Sequence, residues 1–317
     1  MINTPVKDLE KGGNQIHPGL QFLIFLVLSF AILIIGTIIG LAVVTALYGS
    51  NTLIAIGNLK VTTPHFVNSL WVLQIIGTTL PILATPVFFA YVIVREPQNY
   101  LKPGFRFSWI LIVLVLAIMF ISSPIMEFLS NLNQKMVLPP FLKWMRDSED
   151  QAQKLTEALL QMKTIWDLIK DVLLIGLLTA IVEEFMFRGV LQTILVRWTK
   201  NTHVAIWITA ILFSAFHMEF FGFLPRLALG ALFGYFVAWS GSIWPAVWAH
   251  FLNNATAVVV TYLFNHKLIK VNPDDQHLFS YTGYIISLAI VLFLLFVYKK
   301  TAFNKTPITE FDGEELD

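Results

Sequence analysis

The sequence contains no cysteine and few charged residues, and each shortage excludes a class of function. Without cysteine the chain has no disulfide, no thiolate metal ligand and no cysteine nucleophile. Its net charge of +1 gives no reason to expect a nucleic-acid partner. Charged residues make up only 13% of the chain and hydrophobic residues 56%, with a mean hydropathy of +0.72. These values are typical of a protein that crosses a membrane several times. We expect a multi-pass protein of the cell membrane, surrounded by the lipid bilayer.

Long apolar runs support this interpretation, because a helix needs about 20 apolar residues to cross about 30 Å of hydrocarbon. The first run, Gly19 to Tyr48, is too long for the core of a signal peptide and should remain as a span. The sequence therefore predicts an all-α, polytopic transmembrane helix bundle with about eight spans. The predicted spans are 19–48, 68–95, 107–130, 166–198, 203–219, 223–239, 242–264 and 279–298.

The predicted spans divide the chain into five regions. A polar amphipathic stretch, Arg146 to Lys163, is typical of a helix lying at the membrane interface. The C-terminal tail is acidic and poor in apolar residues, which predicts disorder. The positions of Lys and Arg in short loops favour both termini in the cytoplasm. The regions are a polar segment (1–18), N-terminal spans with the interfacial helix (19–165), spans with internal polar residues (166–264), a last loop and span (265–300) and the tail (301–317).

The fourth predicted span carries three charged residues near its middle: Glu183, Glu184 and Arg188. A charge at the centre of a bilayer costs about 2.5–3.5 kcal/mol, so such a residue indicates a functional site unless it is paired. Glu184 and Arg188 are four residues apart, which predicts an ion pair on one face of the helix. Glu183 points about 100° away and has no partner within its own helix. We therefore interpret Glu184 and Arg188 as mainly structural and Glu183 as functional.

Two further spans place polar residues at a similar depth. If the fourth and fifth spans form a hairpin that turns near residues 198–203, His217 lies level with Glu183. His250 and Asn254 are four residues apart on one face of the seventh span, again near mid-membrane. Each of these side chains, taken alone, is more typical of packing or of interhelical hydrogen bonding. Their convergence favours a site, and we expect all four side chains to line one cavity.

Two neighbouring features have structural interpretations. Gly230 and Gly234 have the small-xxx-small spacing that permits close approach of two helices. The stretch from Glu219 to Arg226 predicts a break in or near the membrane. Irregular backbone at that depth is tolerated where it lines a water-filled cavity, so this break would bring water to the site.

Glutamate and histidine together can remove a proton from water and pass it to a leaving amine. A second histidine and an asparagine amide can donate hydrogen bonds to the developing oxyanion of a peptide bond. The same histidines and carboxylate could instead hold a zinc ion that activates the water. The sequence has no HExxH motif, no GxSxG context around a serine and no pair of aspartates at mid-span. The residues therefore indicate hydrolysis by activated water and leave the metal question open.

Three motifs resemble the signatures of the CPBP family of intramembrane proteases (the CAAX prenyl endopeptidase type II and bacteriocin-processing, or Abi, family). They are Glu183-Glu184-x-x-x-Arg188, Phe213-x-x-x-His217 and His250-x-x-x-Asn254. Each motif alone is weak, but three in order on separate apolar helices form a strong signal. The resemblance covers residues 166–264, about a third of the chain.

The resemblance implies an eight-helix endopeptidase in which Glu183 and His217 activate water while His250 and Asn254 bind the oxyanion. Glu184 and Arg188 would support these four residues. We expect no cofactor, because these residues account for hydrolysis without a metal ion. The alternative is a zinc ion held by the Glu183 carboxylate and the two histidines.

The predicted function is hydrolysis of a peptide bond in a membrane-associated or CAAX-like protein or peptide. Two alternatives come from other classes of protein. A non-catalytic scaffold or bacteriocin-immunity protein could keep the same motifs without turnover. A proton-coupled transporter would also bury Glu, Arg and His, but it predicts repeated sets of spans, and the sequence shows no internal repeat.

Overall fold

The computed structural model describes residues 16–105, 107–137, 139–270 and 278–303, and all regular secondary structure in these ranges is helical. The predicted all-α class is therefore confirmed. Most of the polar N-terminal segment and of the acidic tail lies outside the described residues. The helices are α1 (Pro18–Tyr48), α2 (Ser50–Gly57), α3 (Phe66–Ile93), α4 (Pro97–Leu101), α5 (Ile110–Ile121), α6 (Ser123–Gln134), α7 (Lys143–Leu159), α8 (165–199), α9 (Thr202–Phe216), α10 (Phe223–Ser240), α11 (Trp244–Asn265) and α12 (Tyr281–Phe303), with a 3₁₀ turn at Pro140–Leu142.

Every predicted span falls on a helix or a bent pair of helices, but the count of eight is not reproduced. Among the described residues, five helices are long and apolar enough to cross a membrane. The number rises to six if α5 and α6, bent by 45°, form one span. Two predicted spans differ for physical reasons: α8 carries several charged residues, and α9 has only 15 residues. The polytopic helix bundle is confirmed. By length and composition, five or six described helices qualify as spans, compared with the eight predicted.

Helix α8 is a continuous helix with two π-helical stretches, Val172–Leu178 and Phe185–Leu191. Its first turn is fixed by a capping box, in which the Thr164 hydroxyl accepts from the backbone N–H of Asp167 and the Asp167 carboxylate accepts from that of Thr164. The two π stretches flank the α-helical turns of Thr179–Glu184. Because π-helical turns occur frequently at functional sites, their position beside the acidic pair points to this part of α8.

The acidic pair lies between two buried apolar clusters. The first cluster is built mainly from α5, α10, α11 and α12 and includes Ala180 of α8. The second is built mainly from α1, α3, α8 and α9 and includes Val182 and Phe187. Since α8 contributes to both, the side chains that follow Val182 emerge between the clusters, in the interior of the bundle.

Two sets of contacts join segments that the predicted alternation of loops places on the same side of the membrane. On one side, the Arg197 guanidinium lies 2.8 Å from the Glu96 carboxylate and donates to the Tyr100 hydroxyl at 3.0 Å. On the other side, α6 and α7 contact the segment between α9 and α10 through Asn133 and Glu149. This grouping agrees with the predicted alternation of loops. Which side faces the cytoplasm remains a prediction.

The predicted interfacial helix is present as α7. Its buried Ala158 packs in an apolar cluster with Phe66 and Leu70 of α3. In the N-terminal half of α7, Glu149 accepts a backbone hydrogen bond from Phe221, in the segment that joins α9 to α10. Helix α7 therefore connects the second predicted span to the part of the chain that carries His217. Its position at the membrane interface stays a prediction.

Candidate active site

The Glu183 carboxylate faces two histidine side chains in the interior of the bundle. Its Oε2 atom lies 3.8 Å from Nε2 of His217 and 3.9 Å from Nε2 of His250. Both distances exceed a hydrogen bond, and Oε2 has no hydrogen-bond partner within the described part of the chain. Polar groups at such separations can be joined by a bridging water. The structure thus brings together three of the four residues that the sequence predicted to share a site.

Glu184, the next residue in the chain, lies in a closed environment. Its side chain is fully buried, and its Oε1 atom lies 2.7 Å from Nη1 of Arg188, so the predicted ion pair is present. The same Oε1 lies 2.9 Å from Nδ1 of His250. Adjacent glutamates therefore face the two nitrogens of one imidazole. The sequence predicted the contact with Arg188 but not the contact with His250.

The hydrogen-bond partners of the two rings assign their protons. Nδ1 of His217 lies 2.9 Å from the carbonyl oxygen of Phe213, which can only accept, so Nδ1 is the donor. Nδ1 of His250 donates in the same way to the Glu184 carboxylate. In the neutral form of each ring, Nε2 then carries a lone pair. Both Nε2 atoms lie within 4 Å of Glu183 Oε2, where a water could donate to either of them.

The Arg188 guanidinium is fully buried and is held from three directions. Besides its pair with Glu184, Nη2 donates to the carbonyl oxygen of Gly230 at 3.0 Å. Its central carbon lies 4.3 Å from the ring centre of Phe213 and 5.3 Å from that of Phe233. Cations are attracted to the faces of aromatic rings, and a buried charge is tolerated only when it is paired and hydrogen-bonded. The predicted structural role of Arg188 agrees with this geometry.

Phe213 and Phe233 connect the charged groups to the histidines. The Phe213 ring contacts His217 edge-on at 5.0 Å between ring centres and His250 at 5.9 Å. Phe233 stacks on His250 with ring centres 5.4 Å apart. The motif spacing in the sequence indicated Phe213, but Phe233 lies in a predicted span with no signal that distinguishes it from a packing residue.

Gly230 and Gly234 have two roles, of which the sequence predicted one. A Cβ atom at Gly234 would lie 2.8 Å from a methyl group of Ile206, so the glycine is needed for the close approach of α9 and α10. This confirms the predicted packing role. In addition, the Gly234 carbonyl accepts a hydrogen bond from the Gln192 amide at 3.2 Å, as Gly230 accepts from Arg188 one turn away. The buried Gln192 was not predicted.

Asn254 is the predicted site residue that the structure does not place beside Glu183. Its Nδ2 atom donates to the carbonyl oxygen of Ile175 at 3.2 Å, in the first π stretch of α8. Ile175 precedes Glu183 by eight residues, which is about 12 Å along a helix. The expectation that Asn254 lines the same cavity is therefore not met by any described contact. Its role in binding an oxyanion stays a prediction.

The predicted break after the fifth span is present. Helix α9 ends at Phe216 and α10 begins at Phe223, so His217 is the first residue of an irregular segment. Met218 has a φ of 55°, in the left-handed region that few residues other than glycine adopt. His217 is 25% exposed and Glu183 13%, compared with 6% for His250. The site is therefore most open on the side of the break.

These features define a class of protein: a polytopic all-α membrane protein with ionisable side chains gathered in its interior. Residues 165–256 match the family model described as type II CAAX prenyl endopeptidase, Rce1-like. This segment contains all three motifs, so the match bears out the predicted resemblance over these residues.

Among curated proteins, the chain is similar to the uncharacterized protein YpbD of Bacillus subtilis (strain 168). It is 28% identical over 116 residues, which are 35% of this chain and 55% of the relative. The matched region thus spans about half the length of that relative. No solved structure matches the chain.

Proposed function

We propose that this protein is an intramembrane endopeptidase that hydrolyses a peptide bond of a membrane-associated or CAAX-like protein or peptide. The observation that carries the proposal is the approach of Glu183 Oε2 to Nε2 of both His217 and His250, at 3.8 and 3.9 Å, within an apolar bundle. The family match over residues 165–256 supports the same reaction class. The partners are then a peptide substrate and the lipid bilayer.

Water activation requires a base with a free lone pair next to the attacking oxygen. In the proposed reaction, a water between Glu183 and His217 gives a proton to this pair, and its oxygen attacks the carbonyl carbon of the substrate. The proton then passes through His217 Nε2 to the amide nitrogen as the C–N bond breaks. The products are a carboxylic acid and an amine, with no other reactant. The opening on the side of the break is the route by which water reaches Glu183.

Stabilisation of the oxyanion requires a hydrogen-bond donor that points to the carbonyl oxygen of the attacked peptide bond. His250 can donate from Nε2 only when the ring is doubly protonated, because Nδ1 already donates to Glu184. A carboxylate behind an imidazole holds the ring in position. We therefore assign Glu184 a role in orienting His250 as well as in pairing Arg188. Asn254 would have to release the Ile175 carbonyl to act as a second donor.

A zinc ion would need at least three of these side chains arranged around it. Among the described residues, no group of three or more His, Cys, Asp and Glu side chains is arranged to hold a metal. We propose the version in which Glu183 and His217 activate water without a metal. In that version chelators leave hydrolysis unchanged. Loss of activity on chelation and its recovery with zinc would instead assign the Glu183 carboxylate and both imidazoles to a metal.

The proposed function is tested with the purified full chain in detergent and in liposomes. The substrates are internally quenched peptides of one sequence, with and without a prenylated cysteine followed by three C-terminal residues. Cleavage is followed by fluorescence and mass spectrometry. The matched controls are Glu183→Gln at the site and Glu157→Gln on the exposed face of α7. The proposal requires cleavage by the wild type and Glu157→Gln but not by Glu183→Gln. Equal cleavage by all three proteins would reject the proposed role of Glu183. No cleavage by any of them would reject the proposal and favour a non-catalytic scaffold.

A further inference from the structure

The irregular segment of residues 217–222, called here the break, begins at a predicted site residue but is held from outside. His217 is its first residue, and Met218 has the unfavourable φ of 55°. A backbone conformation of this kind persists only when the surrounding structure enforces it. The position of the His217 ring beside Glu183 therefore depends on contacts between the break and other helices.

Asn133 of α6 makes the first of these contacts. Its side chain is buried, with 1% of its surface exposed. Nδ2 donates to the carbonyl oxygen of Phe220 at 2.8 Å, and Oδ1 accepts from the backbone N–H of Leu224 at 2.6 Å. One amide group thus holds the end of the break and the first turn of α10 together.

Helix α7 makes the second contact. The Glu149 carboxylate accepts from the backbone N–H of Phe221 at 3.2 Å. The Arg146 guanidinium carbon lies 4.4 Å from the ring centre of the same phenylalanine. The far end of α7 packs on α3 through Ala158. Through α7, the break is therefore attached to a part of the bundle that lies outside the segment matched by the family model.

From these contacts we infer that Asn133 and Glu149 are positioning residues, which hold the break so that His217 Nε2 stays within reach of Glu183. The inference rests on the proposed function. Neither side chain touches the three site residues; both act through the backbone of Phe220, Phe221 and Leu224. A shift of about 1 Å in a reacting group can lower a rate by about 100-fold, so the loss of either contact should lower kcat.

A purely structural role predicts a different result, and α9 offers a matched control. Asn201 caps the opposite end of this helix, where its Oδ1 atom accepts from the backbone N–H of Val204 at 2.8 Å. Asn201→Ala therefore removes an asparagine contact at the other end of α9 without touching the break. If Asn133 only stabilises the fold, Asn133→Ala and Asn201→Ala should behave alike.

The experiment measures kcat, KM and melting temperature with the quenched peptide that the wild type cleaves fastest. For Asn133→Ala we expect kcat to fall about 10- to 100-fold with KM within about two-fold, whereas Asn201→Ala should lower the melting temperature without this loss of kcat. Glu149→Ala should also lower kcat. Glu149→Gln should restore it, because the amide oxygen still accepts from Phe221.

Each outcome decides the matter. Cleavage by the wild type, with kcat unchanged in Asn133→Ala and Glu149→Ala, overturns the inference and leaves the proposed function intact. A loss of kcat in Asn201→Ala as large as that in Asn133→Ala also overturns it. No cleavage by the wild type overturns both proposals. If Asn133→Ala does not fold, the comparison of Glu149→Ala with Glu149→Gln decides.

Discussion

Glu183 and Glu184 are neighbours in the chain, but the regions around them differ. Around Glu184 the protein is closed, and one oxygen of this fully buried carboxylate contacts both Arg188 and His250. Around Glu183 the protein is partly open. The Oε2 atoms of both glutamates lack a hydrogen-bond partner in the described part of the chain, but only Glu184 has its other oxygen in an ion pair. A buried carboxylate with partners can fix helices in place. A carboxylate with nearby imidazoles and no partner is available for proton transfer.

The largest expected effect separates the two regions directly. Glu183→Gln keeps the shape of the side chain but removes its basic oxygen. Loss of a general base typically lowers a rate by about 10²- to 10⁴-fold, so turnover should fall close to background. The melting temperature should stay near that of the wild type, because Oε2 makes no hydrogen bond that the substitution breaks. Peptide cleavage and thermal unfolding are measured side by side. Full activity in this variant would show that Glu183 is not the base.

The next effect concerns the closed region. Glu184→Gln leaves Arg188 with a neutral partner, which in soluble proteins costs about 3–5 kcal/mol. Coupling energies in membrane proteins average about 0.6 kcal/mol, so the loss here can be smaller. His250 also loses the charge that orients it, and turnover should fall partly. We expect lower yield and melting temperature, with residual cleavage by the folded fraction. A stable but inactive Glu184→Gln, beside an active Glu183→Gln, would reverse the two roles.

A smaller effect tests how the closed region is packed. In Gly234→Ala the new Cβ atom would lie 2.8 Å from Ile206 and 2.9 Å from Oε1 of Gln192. Overpacking of this kind typically costs about 1–3 kcal/mol. Gly283→Ala in α12 is the control, because the nearest atom would lie at 3.6 Å. Thermal unfolding should show a clear loss for Gly234→Ala and little change for Gly283→Ala. An equal change in melting temperature for both variants would mean that α9 and α10 can move apart without a loss of stability.

The smallest effect concerns Glu149, beside the open region. Burial raises the pKa of this carboxyl above its usual range, although the Phe221 N–H acts in the opposite direction. A raised carboxyl pKa means that the ionised form is less stable in the folded protein than in the unfolded chain, so Glu149 lowers stability at neutral pH. Glu149→Gln should therefore melt at the same or a slightly higher temperature at pH 7. The difference should disappear in acid, where Glu149 is protonated in both states. A lower melting temperature at pH 7 would contradict this assignment.

The sequence predicted the open region better than the closed one. Glu183, His217 and His250 could be placed at one depth by counting residues from the turns between apolar spans. The pair of Glu184 and Arg188 followed from their spacing of four. These predictions depend on distance along a helix, which the sequence determines directly.

The contacts that the sequence did not predict depend on how helices rotate against each other. The contact of Glu184 with His250 joins α8 to α11, and that of Arg188 with the Gly230 carbonyl joins α8 to α10. The π stretches shift the faces of α8, so a regular period of 3.6 residues does not describe it. The hydrogen bond of Asn254 was not predicted for the same reason, since its partner is a carbonyl in the first π stretch. Asn133 carried no signal, because one polar residue at the end of a helix is common.

The two hydrogen bonds from α8 to α10 also limit how the site can open. Arg188 and Gln192 are one turn apart, and their partners Gly230 and Gly234 are one turn apart on α10. A slide of one helix past the other by about half a turn, roughly 2.7 Å, would break both bonds and leave the Arg188 charge without a carbonyl. Helices α8 and α10 should therefore move as one body. Admission of a substrate then requires displacement of α9, α11 or the break. The absence of native cysteines makes this measurable, because pairs of spin labels can be attached at chosen positions. Distances between α8 and α10 should stay constant when peptide binds, while those between α8 and the break change.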